Sequence, residues 1–129
     1  LNEIFSRLSP WLDMFRVFKG VDFTKFKFKD WKNQNFVLTG NPAVKAAVYW
    51  NNNEAYIVLG NPESMERESY NFKLNTSMLG WPKMQNNYSI QVLPYAPAVN
   101  MSNSDLESRG ISGILNAYEY RVYKIEAGK

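Results

Sequence analysis

The chain contains neither cysteine nor histidine among its 129 residues. Without cysteine, the protein forms no disulfide and offers no thiolate for zinc binding or nucleophilic attack. Without histidine, it lacks the imidazole group that Ser-His-Asp triads and most transition-metal sites require. The sequence also lacks any apolar run approaching the roughly 18 residues of a membrane-spanning helix. These absences exclude several classes of enzyme and metal protein, and they predict no membrane span.

Sequence motifs for phosphate binding or covalent catalysis are missing as well, since the chain has no P-loop, other glycine-rich phosphate loop or nucleophile elbow. Two acidic clusters lie in turn-rich polar stretches: Glu63, Glu66 and Glu68, and Asp105 with Glu107. Such stretches are typical of solvated surface rather than of a glycosidase carboxylate pair. The oxygen-bearing side chains over residues 100–105 lack the acidic density and the glycine of a calcium loop. We therefore expect no catalytic residue, no metal and no cofactor in this chain.

Positive charge and phenylalanine are concentrated in the first quarter of the chain. Residues 1–36 hold seven cations and four acids, and they therefore account for the whole formal net charge of +3. They also hold seven of the eight phenylalanines, whereas all eight tyrosines lie between Tyr49 and Tyr123. Phenylalanine suits a contact that excludes water, whereas tyrosine suits a partly solvated contact in which its hydroxyl group finds a hydrogen-bond partner. We therefore predict a boundary near Gly40, with a helical and extended segment over residues 1–39 and a second unit over residues 40–129.

Residues 1–19 are predicted to be helical, because apolar side chains recur there at three- and four-residue intervals. Gly20 is the expected C-terminal cap. The apolar surface of this helix includes Trp11, Phe15 and Phe18 and is wider than one stripe, so the helix needs cover on more than one side. We expect these three side chains to belong to an interface with another domain.

Lysines alternate with aromatic residues immediately after this helix, over residues 25–31. Cations and rings in one stretch are what a single-stranded nucleic-acid binder uses. The alternation, however, places the lysines and the rings of Phe26 and Phe28 on opposite faces of an extended strand. We therefore expect the rings to turn inward or toward a domain interface and the lysines to face water. Single-stranded nucleic acid is therefore the third of the partners that we consider for this chain.

From residue 43 onward, the pattern predicts an antiparallel β-sandwich of the Ig-like or Greek-key type. Residues 44–50 and 55–59 flank a polar turn and are predicted to form a hairpin. Further strands are expected over residues 67–74, 87–93, 111–115 and 117–126. Ser104 and Glu107 have the spacing of a capping box, which predicts one helical turn before Gly110. Short strands with turn signals about every ten residues favour a sandwich.

Two tryptophans near predicted turns are candidates for carbohydrate contact. Trp50 precedes a turn that includes Asn52, and Trp81 lies near Asn86 and Asn87. Sugar rings stack on aromatic planes, while amide side chains bind their hydroxyl groups. The alternative is that both tryptophans fill the core or cover its end.

Two segments resemble parts of a known domain when they are taken together. Residues 44–61 resemble the hairpin that opens the C-terminal β-sandwich of many barrel-type glycoside hydrolases, with a strand, a polar turn and an apolar strand ending in Asn61. Residues 115–126 resemble the closing strand of that domain, with its aromatic residues and its Lys124-Ile125 ending. The preceding Trp31-Lys32-Asn33 and the apolar helix resemble the last helix of the barrel and its exit segment.

The resemblance implies that the catalytic carboxylates lie on a barrel upstream of Leu1, because the βα loops of a barrel build its active site. It also implies a bacterial carbohydrate-degrading enzyme that is secreted or periplasmic. The expected function is thus a non-catalytic C-terminal accessory domain that packs on the catalytic barrel and contacts carbohydrate. The alternative is a free-standing carbohydrate- or protein-binding module.

Overall fold

The computed structural model describes residues 23–81, 87–93 and 96–127 of the chain. The helix predicted over residues 1–19, with Trp11, Phe15 and Phe18, lies outside these ranges. Within them, the strands are β1 (Lys27–Lys29), β2 (Val37–Leu38), β3 (Lys45–Trp50), β4 (Glu54–Gly60), β5 (Glu68–Leu74), β6 (Asn87–Val92), β7 (Val99–Ser102), β8 (Ile111–Leu115) and β9 (Tyr120–Ala127). Three short helical elements accompany them: Phe23–Lys25, Thr76–Leu79 and Asp105–Arg109. None of these helices is long or apolar enough to cross a membrane.

The nine described strands form two antiparallel sheets. The six-stranded sheet has the order β1-β3-β4-β9-β6-β7, and the three-stranded sheet has the order β2-β5-β8. In the larger sheet, β4 pairs with β3 on one side and β9 on the other, so that Val48, Ile57 and Tyr123 stand in one row. The predicted hairpin over residues 44–50 and 55–59 is confirmed as β3 and β4, within one residue at each end.

One apolar core lies between the two sheets. Val48 and Ile57 of the six-stranded sheet and Phe72 and Leu115 of the three-stranded sheet are all fully buried in it. They come from alternate positions of their strands, because successive side chains of a strand lie on opposite faces. The prediction of a mainly β, antiparallel sandwich is confirmed.

Each sheet also includes a short strand from before residue 40. β1 pairs with β3, placing Phe28 opposite Tyr49, and β2 pairs with β5. Phe36 and Val37 are buried in the core. The sandwich therefore includes residues that precede Gly40, and composition did not reveal this because pairing with β3 and β5 is a non-local property.

The helical turn predicted near Ser104 spans Asp105–Arg109 and ends at Gly110, which has a φ of +75°. The predicted capping box is wrong, because Ser104 makes no capping hydrogen bond. The Ser102 hydroxyl instead accepts from the Asp105 backbone N–H at 3.0 Å. Glu107 accepts from the Thr76 hydroxyl at 2.9 Å, so its carboxylate ties this turn to another segment of the chain.

A polar clasp joins the two sheets within the core. The hydroxyl groups of Tyr70 on β5 and Tyr123 on β9 are 2.5 Å apart. Arg121 donates to the Tyr70 hydroxyl at 2.8 Å and to the Ile114 carbonyl at 3.0 Å. Burial, together with the hydrogen bond to Tyr70, raises the pKa of Tyr123 above its ordinary value. The clasp therefore fixes one sheet against the other through hydrogen bonds between side chains of β5 and β9.

Candidate functional site

The acidic side chains of the described residues take part in local structure. Glu68 accepts hydrogen bonds from Ser64 and Asn41 at 3.4 and 3.5 Å. Asp105 lies 4.0 Å from the Arg109 guanidinium. Across residues 23–81, 87–93 and 96–127, no group of three or more acidic side chains is placed to hold a metal ion. These carboxylates accordingly support turns and exposed ion pairs.

The turn between β3 and β4 is rigid and is covered by Trp81. The Asn51 side chain accepts from the backbone N–H groups of Asn53 and Glu54, both at 2.9 Å. The indole N–H of Trp81 donates to the Asn51 carbonyl at 2.6 Å. The fold thus brings Trp81 beside the turn that carries the exposed Asn52.

Trp50, in contrast, belongs to the core. Its side chain is 8% exposed, and its ring centroid lies 4.7 Å from that of Phe36. It shares the inward face of β3 with Ala46 and Val48. The burial of Trp50 agrees with the alternative that this tryptophan fills the core, whereas Asn52 is exposed and Trp81 is only partly buried.

An apolar surface lies on the outer face of the six-stranded sheet, the face opposite the core. We call it the outer apolar surface, and its members are Phe26, Phe28, Ala47, Tyr49, Tyr56, Val58, Leu93, Tyr120 and Val122. Phe26 meets the ring of Tyr56 edge-on at 5.7 Å. Phe28 packs on Tyr49 at 4.4 Å and remains 49% exposed. The rings of Phe26 and Phe28 therefore do not turn inward to the core, because β1 is an edge strand whose ring-bearing face belongs to this surface.

A cluster of charged side chains lies beside this surface on the outer face. The Lys124 ammonium lies 2.9 Å from Glu126 and 3.6 Å from Glu54. The hydrogen bond to Glu126 raises the pKa of Lys124, although partial burial opposes it. This cluster of charges borders the outer apolar surface next to Tyr56, over whose ring the ammonium lies at 6.0 Å.

A groove of about 590 Å³ opens where the edges of the two sheets meet. Its lining includes Trp31, Leu38, Asn41 and Lys45. Trp31 is 45% exposed, and the Lys45 ammonium lies 4.7 Å from its ring centroid. The sequence places Trp31 at the end of the stretch of lysines and aromatic residues and in the exit segment, and it does not predict this groove. The available signal was Asp30, since an Asp that begins a turn fixes the residues after it.

No family model and no curated protein matches this sequence. Among solved structures, the crystal structure of a GH30 endoxylanase from Clostridium papyrosolvens C71 is similar, with a TM-score of 0.38 and 17% sequence identity. The similarity covers 70% of this chain and 22% of the endoxylanase chain, so the chain corresponds to about a fifth of that protein's length.

Proposed function

We propose that this chain is a non-catalytic C-terminal accessory domain of a glycoside hydrolase and that it packs on the upstream catalytic barrel through the outer apolar surface. The observation that carries the proposal is that β4 is apolar on both of its faces and that the outer apolar surface still leaves the ring of Phe28 49% exposed. Every residue of β4 from Ala55 to Gly60 is buried. Antiparallel sheets with one solvated face alternate apolar and polar residues, so β4 has the pattern of a strand that is covered on both sides.

The three-stranded sheet covers only the inner face of β4. Ala55, Ile57 and Leu59 point to it and are completely buried in the core. Tyr56 and Val58 point the other way and begin the outer apolar surface. On the neighbouring strand β9, Val122 continues the same surface and is 3% exposed.

Phe28 is the member of this surface that offers the most apolar area to a neighbour. A half-exposed aromatic ring next to buried aliphatic side chains is typical of an interface between domains. The Lys124 charge cluster limits the surface on one side, which gives it the apolar centre and charged rim of a packing interface. Helices on the outside of a barrel provide a complementary apolar cover.

The identity of the neighbour comes from the resemblance of residues 44–61 and 115–126 to the sandwich of barrel-type glycoside hydrolases. In that arrangement the catalytic carboxylates lie on the barrel, and the segment that precedes β1 leads from the barrel to the sandwich. Carbohydrate contact at Asn52 and Trp81 belongs to the same proposal, since Trp81 holds the exposed Asn52 turn in place.

The proposal is tested by producing the protein encoded upstream of Leu1 and this chain as two separate polypeptides. We expect them to associate when mixed, as measured by size-exclusion chromatography and calorimetry. Phe28→Asp places a charge in the outer apolar surface, and it should weaken association by about tenfold or more.

Ile114→Asp is the matched control, because Ile114 is 53% exposed on the three-stranded sheet and lies outside the outer apolar surface. This variant should associate as the unaltered chain does. Equal loss in both variants, or no association of the unaltered polypeptides, would contradict the proposal. Association with an upstream protein that has no glycosidase carboxylates would favour the protein-binding module instead.

A further inference from the structure

Trp31 is held on a preorganised turn at the mouth of the groove between the sheet edges. The Asp30 carboxylate accepts hydrogen bonds from the backbone N–H groups of Lys32 and Asn33 and from the Asn33 amide. The Asn33 backbone N–H also donates to the Asp30 carbonyl at 3.1 Å. An aromatic ring that is nearly half exposed on such a rigid turn binds a partner with little loss of conformational entropy.

Two ammonium groups flank this indole ring. Lys45 lies 4.7 Å and Lys32 lies 5.3 Å from the ring centroid. Lys45 donates to the Pro42 carbonyl at 2.6 Å, which positions its ammonium and leaves further N–H donors. Neither lysine makes an ion pair with a carboxylate of the residues that the structure describes. The mouth of the groove therefore presents two ammonium groups beside an aromatic plane, while the nearby carboxylates of Asp30 and Glu68 accept hydrogen bonds from the turn and from Asn41.

The groove itself has mixed walls. Leu38 is 66% exposed and provides an apolar wall, while Thr39 and Asn41 bring polar groups. The Asn41 amide donates to the Ser69 carbonyl at 2.7 Å, so it is fixed in place. Shallow grooves with one aromatic ring, apolar wall and fixed polar groups suit a ring-shaped polar ligand.

We propose that the groove at Trp31 binds a uronic-acid unit of an acidic polysaccharide, with the sugar ring on the indole and its carboxylate between Lys32 and Lys45. The apolar C–H face of the sugar packs on Trp31, and the exposed Lys32 side chain moves aside to reach the carboxylate. The site is separate from Trp50, Asn52 and Trp81. It does not depend on packing against a barrel, and it goes beyond the function proposed above by giving the domain a ligand of its own.

A single strand of nucleic acid fits this geometry less well. Binders of single strands stack successive bases on several rings along one surface. Here Trp31 stands at the groove, whereas the exposed ring of Phe28 lies on the outer face of the sheet. One ring with two ammonium groups matches one acidic sugar unit.

The test is affinity electrophoresis of the 129-residue chain in gels that contain polygalacturonate or, separately, neutral hydroxyethylcellulose. We expect retardation by polygalacturonate alone, which weakens as salt increases because the charges are exposed. Trp31→Ala should lower the affinity by about fivefold or more, and Trp31→Tyr should restore part of it. Lys32→Gln with Lys45→Gln should lower the affinity and flatten its dependence on salt.

Ile114→Ala and Lys25→Gln are matched controls, because each removes an exposed apolar or cationic group that does not line the groove. Both should bind as the unaltered chain does, and circular dichroism verifies that every variant is folded. The proposal is overturned if polygalacturonate does not retard the chain, if Trp31→Ala binds as tightly, or if a single-stranded oligonucleotide binds more tightly through the same lysines. Phe28→Asp should retain this binding while it loses association with the barrel, so the two proposals fail independently.

Discussion

The two faces of the six-stranded sheet differ in how they are covered. On the inner face, the three-stranded sheet encloses Ile57 and Ile125 completely. On the outer face, apolar residues lie beside charged residues, and Phe28 is still half exposed. The inner face is covered by a whole sheet and accounts for the fold. The outer face is covered by single side chains such as Phe26 and Tyr120, and it is the face on which we propose that a neighbouring domain packs.

The largest difference between the faces should be in the cost of removing an aromatic ring. Phe72 is fully buried in the core, with its ring 4.8 Å from that of Tyr123, so Phe72→Ala should lower the free energy of unfolding by about 3–5 kcal/mol. Phe28→Ala on the outer face should cost less than about 1 kcal/mol, because its ring is half exposed already. Urea denaturation of the isolated chain measures both, and equal costs would remove the distinction between the faces.

Two glycines offer a second comparison between the faces. A Cβ at Gly113 would overlap the Tyr70 hydroxyl in the inter-sheet clasp, whereas a Cβ at Gly60 would lie 2.5 Å from the Tyr120 ring on the outer face. We expect Gly113→Ala to cost about 2–3 kcal/mol and Gly60→Ala about 1–2 kcal/mol. The clasp cannot yield without losing hydrogen bonds, whereas the partly exposed Tyr120 ring has room to turn. Thermal denaturation measures both costs. A larger cost for Gly60→Ala than for Gly113→Ala would mean that the clasp is loosely packed.

The clasp also makes the inner face sensitive to alkaline pH. The raised pKa of Tyr123 means that the folded protein retains a proton which the unfolded chain loses above pH 10. Stability should therefore be constant below this pH and decrease as the pH rises above it. Tyr123→Phe should cost about 1 kcal/mol at neutral pH and make the alkaline decrease shallower. The residual decrease comes from Tyr56 and Tyr120, whose pKa values burial also raises, and from Lys124, whose pKa the hydrogen bond to Glu126 raises. Urea titrations from pH 7 to above pH 10 measure this, and an unchanged slope in Tyr123→Phe would contradict it.

The smallest effect is expected in the charged cluster of the outer face. Lys124 is partly exposed and makes ion pairs with Glu54 and Glu126, so Lys124→Ala should cost about 0.5 kcal/mol or less. The difference from the unaltered chain should shrink further at high salt, because exposed charges are screened. If denaturant titrations showed that Lys124→Ala lowers the free energy of unfolding by more than about 1 kcal/mol, these charges would contribute to the stability of the fold and would do more than border the outer apolar surface.

The strands could be predicted from the sequence, because alternation of apolar and polar residues is a local signal. Strand β5 follows this pattern, whereas β4 could be predicted as an apolar run that follows a polar turn. The order of strands in the two sheets could not be predicted, since it depends on contacts between distant segments such as β4 with β9. The short strands β2 and β7 were missed, because two to four residues are too few to show a period.

The candidate site was harder to predict because a tryptophan beside a turn belongs either to the core or to the surface. Trp50 is in register with Ala46 and Val48, and this parity would have placed it in the core. The asparagines that follow it favour a surface position, so the two local signals conflict. Trp31 is exposed on the turn that Asp30 begins, which is a local feature of the sequence. The position of Lys45 beside its ring is not local, because it depends on how the chain folds.

The most direct test of the central claim uses the absence of cysteine from this chain. Single cysteines are introduced as Phe28→Cys in the outer apolar surface and as Ile114→Cys on the three-stranded sheet, and their labelling by a maleimide is timed. With the upstream domain present, labelling at position 28 should slow by about tenfold or more, while labelling at position 114 should not change. Equal labelling rates at position 28 with and without the upstream domain would contradict the account.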